Sequence, residues 1–321
     1  MKKILITGAS GFLGMSIVVQ LVEHGGYDIY AVTSGRKSIV FPNCVNIVTA
    51  NLLDRECSQR LIEEIRPKIM VHLAWELSES GYSKSANNLV WLEASLQMLR
   101  IFIESGGKYF AFAGSSAEYG YFRGFSGNGE TATDANTTLY GLCKNSFHRI
   151  ASKLCGVSEI EYVNLRFFPV LGKGINANTN AIAAAIASFA AGEPFLCKSP
   201  YNIWDFIGID DASRAACDVI RGQYALDGVL LDGGDARAMI REKFQCVVNI
   251  ASGVPRMVGD VFRSIAQKMN CEHLLSLDFE NITSEILTAD TDALNNIIGY
   301  RCSTEFDDLL NEMIASIRER A

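Results

Sequence analysis

The sequence predicts an α/β fold: a doubly wound parallel sheet with a smaller α/β part interleaved toward the C-terminus. Three observations carry that reading. Through the first half, short apolar runs alternate with helical patterns, a spacing that implies right-handed crossovers between parallel strands. The first run leads straight into the glycine-punctuated turn Gly8-Ala9-Ser10-Gly11-Phe12-Leu13-Gly14 and then into an amphipathic pattern. After about Gly172 the alternation weakens, which marks a change of organisation.

Strands are expected at Ile4–Ile6, Ile29–Val32, Val45–Val48, Ile69–Leu73, Tyr109–Ala113 and Tyr162–Phe167, with helices at Phe12–Glu23, Leu52–Ile65, Leu89–Glu104 and Leu139–Leu154. Sheets of this kind bind ligands where their strands end, so chemistry is expected just after the strands, at Gly8, Ala74, Ser115 and Phe168. Further on, the Ala-rich stretch Asn180–Ala191 and the closing stretch Glu305–Arg318 read as helices, and Gly233-Gly234 as a turn. Residues 1–172 are assigned to a dinucleotide-binding domain to which 204–222 return, and 173–203 with 223–321 to a substrate domain.

The glycine turn carries the first functional expectation. Gly8 suits a tight turn, Gly11 the close approach of a pyrophosphate, and Gly14 close packing of helix on strand. Backbone amides at the start of the helix then face a phosphate at the positive end of the helix dipole.

Composition narrows the class. With 49% hydrophobic and 20% charged residues, the chain of 321 residues is no disordered protein and can bury a large core. A net charge of −7, with no Lys/Arg run, argues against a nucleic-acid surface. Nine cysteines without paired metal-ligand spacing read as reduced thiols, and a cytoplasmic location is expected with no metal site. The apolar run after Lys3 is too short for a secretory leader, and Ala181–Ala191 too short to span a bilayer.

Tyr140 and Lys144 stand four apart in a helical pattern and so share a face. An ammonium beside a phenol favours the phenolate, making the tyrosine a usable acid or base near neutrality. Ser115 closes the apolar run Tyr109–Ala113, where its hydroxyl can hold a carbonyl oxygen while the tyrosine exchanges a proton with it.

Together these segments resemble an extended short-chain dehydrogenase/reductase of the NAD(P)-dependent epimerase/dehydratase family, which acts mostly on nucleotide sugars. Thr7-Gly8-x-x-Gly11-x-x-Gly14 resembles its cofactor loop, Val71-His72-Leu73-Ala74 the strand flanking the cofactor, Asn88 a helix asparagine, and Ser115 to Gly120 with Tyr140-x-x-x-Lys144 its catalytic segments. Leu165 to Gly172, Asp205 to Asp211 and Ala289 to Tyr300 resemble its later landmarks. The resemblance implies a Rossmann-type fold, Tyr140 as proton donor or acceptor, Ser115 orienting a sugar oxygen with Ser116 as its rival, and Lys144 on the nicotinamide ribose. It extends the cofactor set to Ser10, Phe12, Leu13, Asn51, Leu52, Leu73, Ala74, Trp75, Asn88 and Phe167, and the substrate set to Trp75, Ser116, Glu118, Pro169 and Trp204.

Departures from that pattern restrict the reaction. Ser116-Ala117 stands where a dehydratase carries an Asp-Glu pair, so a 4,6-dehydratase is disfavoured. Pro169 replaces a frequent asparagine, and Trp204 replaces an arginine that grips a diphosphate, removing a charge-assisted contact; either Arg237, Arg241, Lys173 or Lys198 replaces it, or the substrate carries no diphosphate. At the end of the second strand no acidic residue is present to hold a ribose diol, whereas Ser34, Arg36 and Lys37 suit a 2′-phosphate; NADP is therefore expected over NAD.

Other features read as structural. His72 is a core histidine, Cys143 packing, and His24 and His148 lack partners at metal spacing. Tyr121–Asn136 reads as a mobile loop near the site, with Glu130 where relatives often carry a glutamate. Surplus apolar surface on Leu89–Glu104 and Leu139–Leu154 suggests a homodimer. The leading expectation is a nucleotide-sugar 4-ketoreductase. The alternatives are a 4-epimerase, a carbonyl reductase of a non-nucleotide substrate and, last, a non-catalytic cofactor-binding regulator.

Overall fold

The architecture was described from a computed structural model, which describes residues 1–36, 39–77, 81–120, 138–222, 224–226, 229–231, 233–280 and 284–319. Six strands in the first half form the expected frame: β1 (Lys2–Thr7), β2 (Tyr27–Thr33), β3 (Val45–Thr49), β4 (Ile69–His72), β5 (Tyr109–Ser115) and β6 (Glu161–Phe167). Between them run α1 (Phe12–His24), α2 (Arg55–Ile65), α3 (Asn87–Glu104) and α4 (Leu139–Val157). All neighbouring strands are parallel, in the order β6-β5-β4-β1-β2-β3.

Alternation along β1 shows why two helical layers are needed. Ile4 and Ile6 enter one apolar cluster with Ile17, Val18 and Leu21 of α1, while Leu5 enters a second with Met98 and Phe102 of α3 and Phe147 of α4. The chain reverses direction across the sheet between β1 and β4, so their carboxyl ends open a crevice at that switch point. Side-chain caps start two of the helices between the strands: Asp54 accepts from Cys57 N–H (3.0 Å) before α2, and Thr138 from Gly141 N–H (3.2 Å) before α4. The N-cap of α1 is Gly11, with no side-chain cap.

The second half departs from the expected division. The strand Val247–Ile250 pairs in parallel with β6 and is the seventh strand of the main sheet. Ala236, Ile240, Phe244, Ala293, Leu294, Ile297 and Ile298 pack in the same cluster as α1, so 223–321 is not wholly a substrate domain. Gly233-Gly234 opens a helix, Gly233–Lys243, rather than forming only a turn. The helix α6 (Ile209–Arg221) packs on the main layers, its Ala212, Ala215 and Ala216 buried in the cluster with α1. The smaller lobe has its own core, built from α5 (Ala181–Ala190), Val258–Met269 and Phe306–Arg318. Its strand Ile203–Asp205 is clasped to the main sheet, since Asp205 accepts from Ser252 N–H (3.0 Å), Ser252 Oγ (2.6 Å) and Gly253 N–H (2.8 Å).

Candidate active site

The crevice begins at the glycine turn. Gly8 adopts φ +68, and a Cβ there would lie 2.8 Å from Ala74 N. A Cβ on Gly14 would lie 2.2 Å from Gly8 O, so helix and turn can meet only at glycine. No side chain caps α1, so its first amides are left without a side-chain partner at the glycine turn, a cradle that fits a dinucleotide pyrophosphate. Phe12 leans toward the far side of the crevice, its Cζ 3.6 Å from where a Cβ on Gly172 would stand.

Behind the turn lies a buried polar chain. Thr7 Oγ1 accepts from Ala74 N–H (3.2 Å) and lies 2.7 Å from His72 Nδ1, while His72 Nε2 lies 2.8 Å from Ser95 Oγ. Ser95 donates its own proton to Trp91 C=O (2.6 Å), which makes His72 Nε2 the donor and Thr7 the donor to Nδ1. Burial holds the His72 pKa down at about 3, with the Lys144 charge adding to that. His72 is thus the core histidine expected, although its wiring to Thr7 was not foreseen.

Ser115, Tyr140 and Lys144 meet at the ends of β5 and α4. Tyr140 and Lys144 both face the sheet, at 7% and 2% exposure. Lys144 Nζ donates to Ala113 C=O at 2.7 Å and sits 4.3 Å from the Trp75 ring centroid, 4.6 Å from Phe112 and 5.7 Å from Tyr140. Burial brings the ammonium down to a pKa of about 7, against the pull of the Glu118 carboxylate. The Tyr140 phenol is not lowered as expected. Burial raises it, the neighbouring Tyr82 adds to the rise, and the hydrogen bond with Ser115 opposes it. Tyr82 packs edge-on against Tyr140 at 5.3 Å and, with Asn88, Trp91 and Glu76, lines a cavity of about 210 Å³.

Two expected ligand-binding residues are turned inward. Glu118 is buried, its Oε1 accepting from Ser115 N–H (2.8 Å) and its Oε2 from Asn164 Nδ2 and Arg166 Nε (both 2.8 Å). It therefore anchors the Ser115 backbone instead of meeting substrate. Asn88, 3% exposed, accepts from Trp75 Nε1 (2.8 Å) and donates to Tyr82 C=O (2.7 Å) and Ser85 C=O (2.8 Å), so it braces the segment after β4 instead of touching a cofactor. Ser116 is buried in the same short turn as Glu118.

The remaining candidates scatter as their elements dictate. Ser10, Leu13 and Leu73 are half-buried around the glycine turn, Ala74 and Trp75 are buried after β4, and Phe167 ends β6 beside Ser115. Asn51 and Leu52 follow β3, with Asn51 exposed and accepting from Leu53 N–H (3.2 Å). Ser34 and Arg36 are exposed after β2, and Arg36 Nη1 lies 3.8 Å from Glu76 Oε2. Lys37, Glu130 and the segment 121–136 lie outside the described residues. Pro169 C=O accepts from Ile207 N–H (3.1 Å), and Trp204 packs beside Phe168 and Tyr119, its buried Nε1 without a partner among the described residues.

Arg237 does not restore the charge lost at Trp204. It pairs with Glu161 and stacks on Tyr109 at 4.6 Å, residues that open β6 and β5 at the opposite end of the sheet. Arg241 lies near it, in a groove of about 1440 Å³ shared with His148 and Lys153, remote from the strand ends that carry Ser115 and Gly8. Lys173 is exposed just past Gly172, and Lys198 follows Cys197 in the smaller lobe. Among the described residues no cluster could hold a metal ion, and no helix is long and apolar enough to cross a membrane.

The family model described as NAD dependent epimerase/dehydratase matches residues 4–256. A probable UDP-glucuronate 4-epimerase of Rhizobium meliloti is 28% identical over 52% of this chain and 53% of its own length. A dTDP-6-deoxy-L-talose 4-dehydrogenase (NAD(+)) of Aggregatibacter actinomycetemcomitans is 27% identical over 65% of this chain and 77% of its own. The chain thus spans about half the length of the first relative and about three quarters of the second. Among solved structures, the UDP-glucose 4-epimerase of Thermus thermophilus in complex with NAD superposes with a TM-score of 0.79 at 18% identity, covering 99% of this chain and 100% of that one.

Proposed function

The chain belongs to the NAD dependent epimerase/dehydratase family and is an NAD(P)-dependent enzyme of the extended short-chain dehydrogenase/reductase type, and on that premise we propose that it reduces the 4-keto group of a nucleotide-linked sugar with NADPH. The single observation that carries this reading is the meeting of Ser115, Tyr140 and Lys144 at the strand ends beside the glycine turn.

A nicotinamide held on the glycine turn would supply the hydride for the carbonyl carbon. Tyr140 delivers the proton to the carbonyl oxygen while the Ser115 hydroxyl holds that oxygen in line. Burial keeps the phenol protonated, the form from which a donor starts, while the hydrogen bond with Ser115 works against the rise in its pKa. Lys144 binds the ribose hydroxyls, offering the N–H groups not spent on Ala113. Glu118 and Arg166 hold the Ser115 backbone. Ser34 and Arg36 favour the 2′-phosphate of NADP. A homodimer paired through α3 and α4 belongs to this reading, since Leu89, Val90, Leu142 and Ile150 leave apolar surface exposed on those helices.

A second reading is a 4-epimerase, in keeping with the names of several relatives. A third, a carbonyl reductase of a substrate without diphosphate, is favoured by Trp204 and by the remoteness of Arg237 and Arg241. The test is nicotinamide absorbance with a panel of 4-keto nucleotide sugars. Turnover is expected in the native enzyme and its loss in Tyr140→Phe, with cofactor affinity kept because the ring still packs. Undiminished turnover in Tyr140→Phe defeats the mechanism, and nicotinamide retained through purification of the native enzyme favours the epimerase.

A further inference from the structure

The sheet order sets β2 and β4 on either side of β1, so the loops leaving them flank the glycine turn. Arg36 comes from the first loop and Glu76 from the second, and their charged ends stand 3.8 Å apart. The pair thus joins the loops that leave the strands on either side of β1, the strand that leads into the glycine turn. Its side chains are 80% and 32% exposed, so the contact is weak, screened by salt and easily opened.

A carboxylate near the adenosine ribose favours hydroxyls and repels a 2′-phosphate, and a guanidinium does the reverse. The end of β2 offers no acidic residue, the usual source of that carboxylate. Glu76 brings one from the neighbouring loop, against the very arginine that suits the phosphate. We propose that Glu76 sets the enzyme's choice between NADP and NAD, offsetting Arg36 so that a 2′-phosphate meets a partly neutralised cation. This rests on the reading that the cofactor docks on the glycine turn with its adenosine end toward β2. A phosphate carries about −1.5 to −2 charges, so removing one negative charge beside it strengthens binding more than for the uncharged ribose diol.

The experiment is isothermal titration of NADP⁺ and NAD⁺ into the full chain and its Glu76→Gln and Arg36→Gln variants, at low and high salt. Glu76→Gln is expected to tighten NADP⁺ by about three- to tenfold more than NAD⁺, an effect that shrinks at high salt. Arg36→Gln is expected to weaken NADP⁺ selectively. Equal changes for both cofactors in Glu76→Gln, or weaker NADP⁺ binding, overturn the proposal. If Arg36→Gln is selective and Glu76→Gln changes nothing, the docking stands and the role of Glu76 falls. If neither variant shifts either cofactor, the docking reading falls with it.

Discussion

Replacing Glu118 with glutamine tests how the Ser115 segment is held. The carboxylate is buried and receives three donors, Ser115 N–H, Asn164 Nδ2 and Arg166 Nε, all at 2.8 Å. A glutamine keeps the shape but removes the charge and turns one acceptor oxygen into a donor. No orientation of its amide can then accept from donors on both sides, so one contact becomes donor against donor. Arg166, only 4% exposed, loses its counter-charge. Breaking a buried pair by removing one partner costs about 3–5 kcal/mol, a large part of a typical stability of about 5–15 kcal/mol. Urea unfolding at neutral pH is expected to show a clear fall in midpoint for Glu118→Gln at unchanged slope. The double variant Glu118→Gln/Arg166→Leu, which no longer buries an unpaired cation, should recover part of the loss. A single variant within about 1 kcal/mol of the parent, or a double variant no better than the single, refutes this account of the pair.

Gly14→Ala places a Cβ 2.2 Å from Gly8 O and 2.8 Å from Ala9 Cα, both backbone, so the turn must shift; cofactor affinity by calorimetry should fall at least about tenfold, and an unchanged affinity contradicts the cradle. Lys144 has a pKa of about 7 in the fold against 10.5 ordinarily, so between those values the unfolded chain binds more protons and stability rises with pH. Below pH 7 the buried ammonium costs most, and Lys144→Met should therefore stabilise most there, its advantage shrinking by roughly 4 kcal/mol toward pH 10.5. A difference between the two proteins that does not vary with pH would show that Lys144 is not held in this way.

The strands buried on both faces were the most legible part of the fold, because each reads as a short unbroken apolar run. Val247–Ile250 is equally buried but escaped detection: it is four residues long, and its pairing with Asn164–Phe167 is remote in sequence. The strand ends that carry Gly8, Ser115 and the start of α4 were also legible, since glycine spacing and the Tyr140–Lys144 interval are local properties. Where Glu118 and Asn88 point was not. A single turn after Ser115 rotates Glu118 toward Arg166, a partner that no local pattern announces. The spacing of Tyr140 and Lys144 likewise gives their shared face but not their depth, and depth decides which way a phenol titrates.

The protons of the Thr7–His72–Ser95 chain run one way only. Ser95 commits its hydrogen to Trp91 C=O, and Ala74 N–H occupies Thr7 from the other side, so the imidazole can neither change tautomer nor gain a second proton without breaking a bond at one end. Such a histidine is silent across the physiological range, despite being the residue type most often blamed for ionisations there. An inflection near neutrality in the kinetics of this enzyme would thus not come from His72, whose ring nitrogens would give flat titration curves in the same samples; the lysine in its aromatic surround, with a pKa of about 7, is the group beside Tyr140 that titrates there.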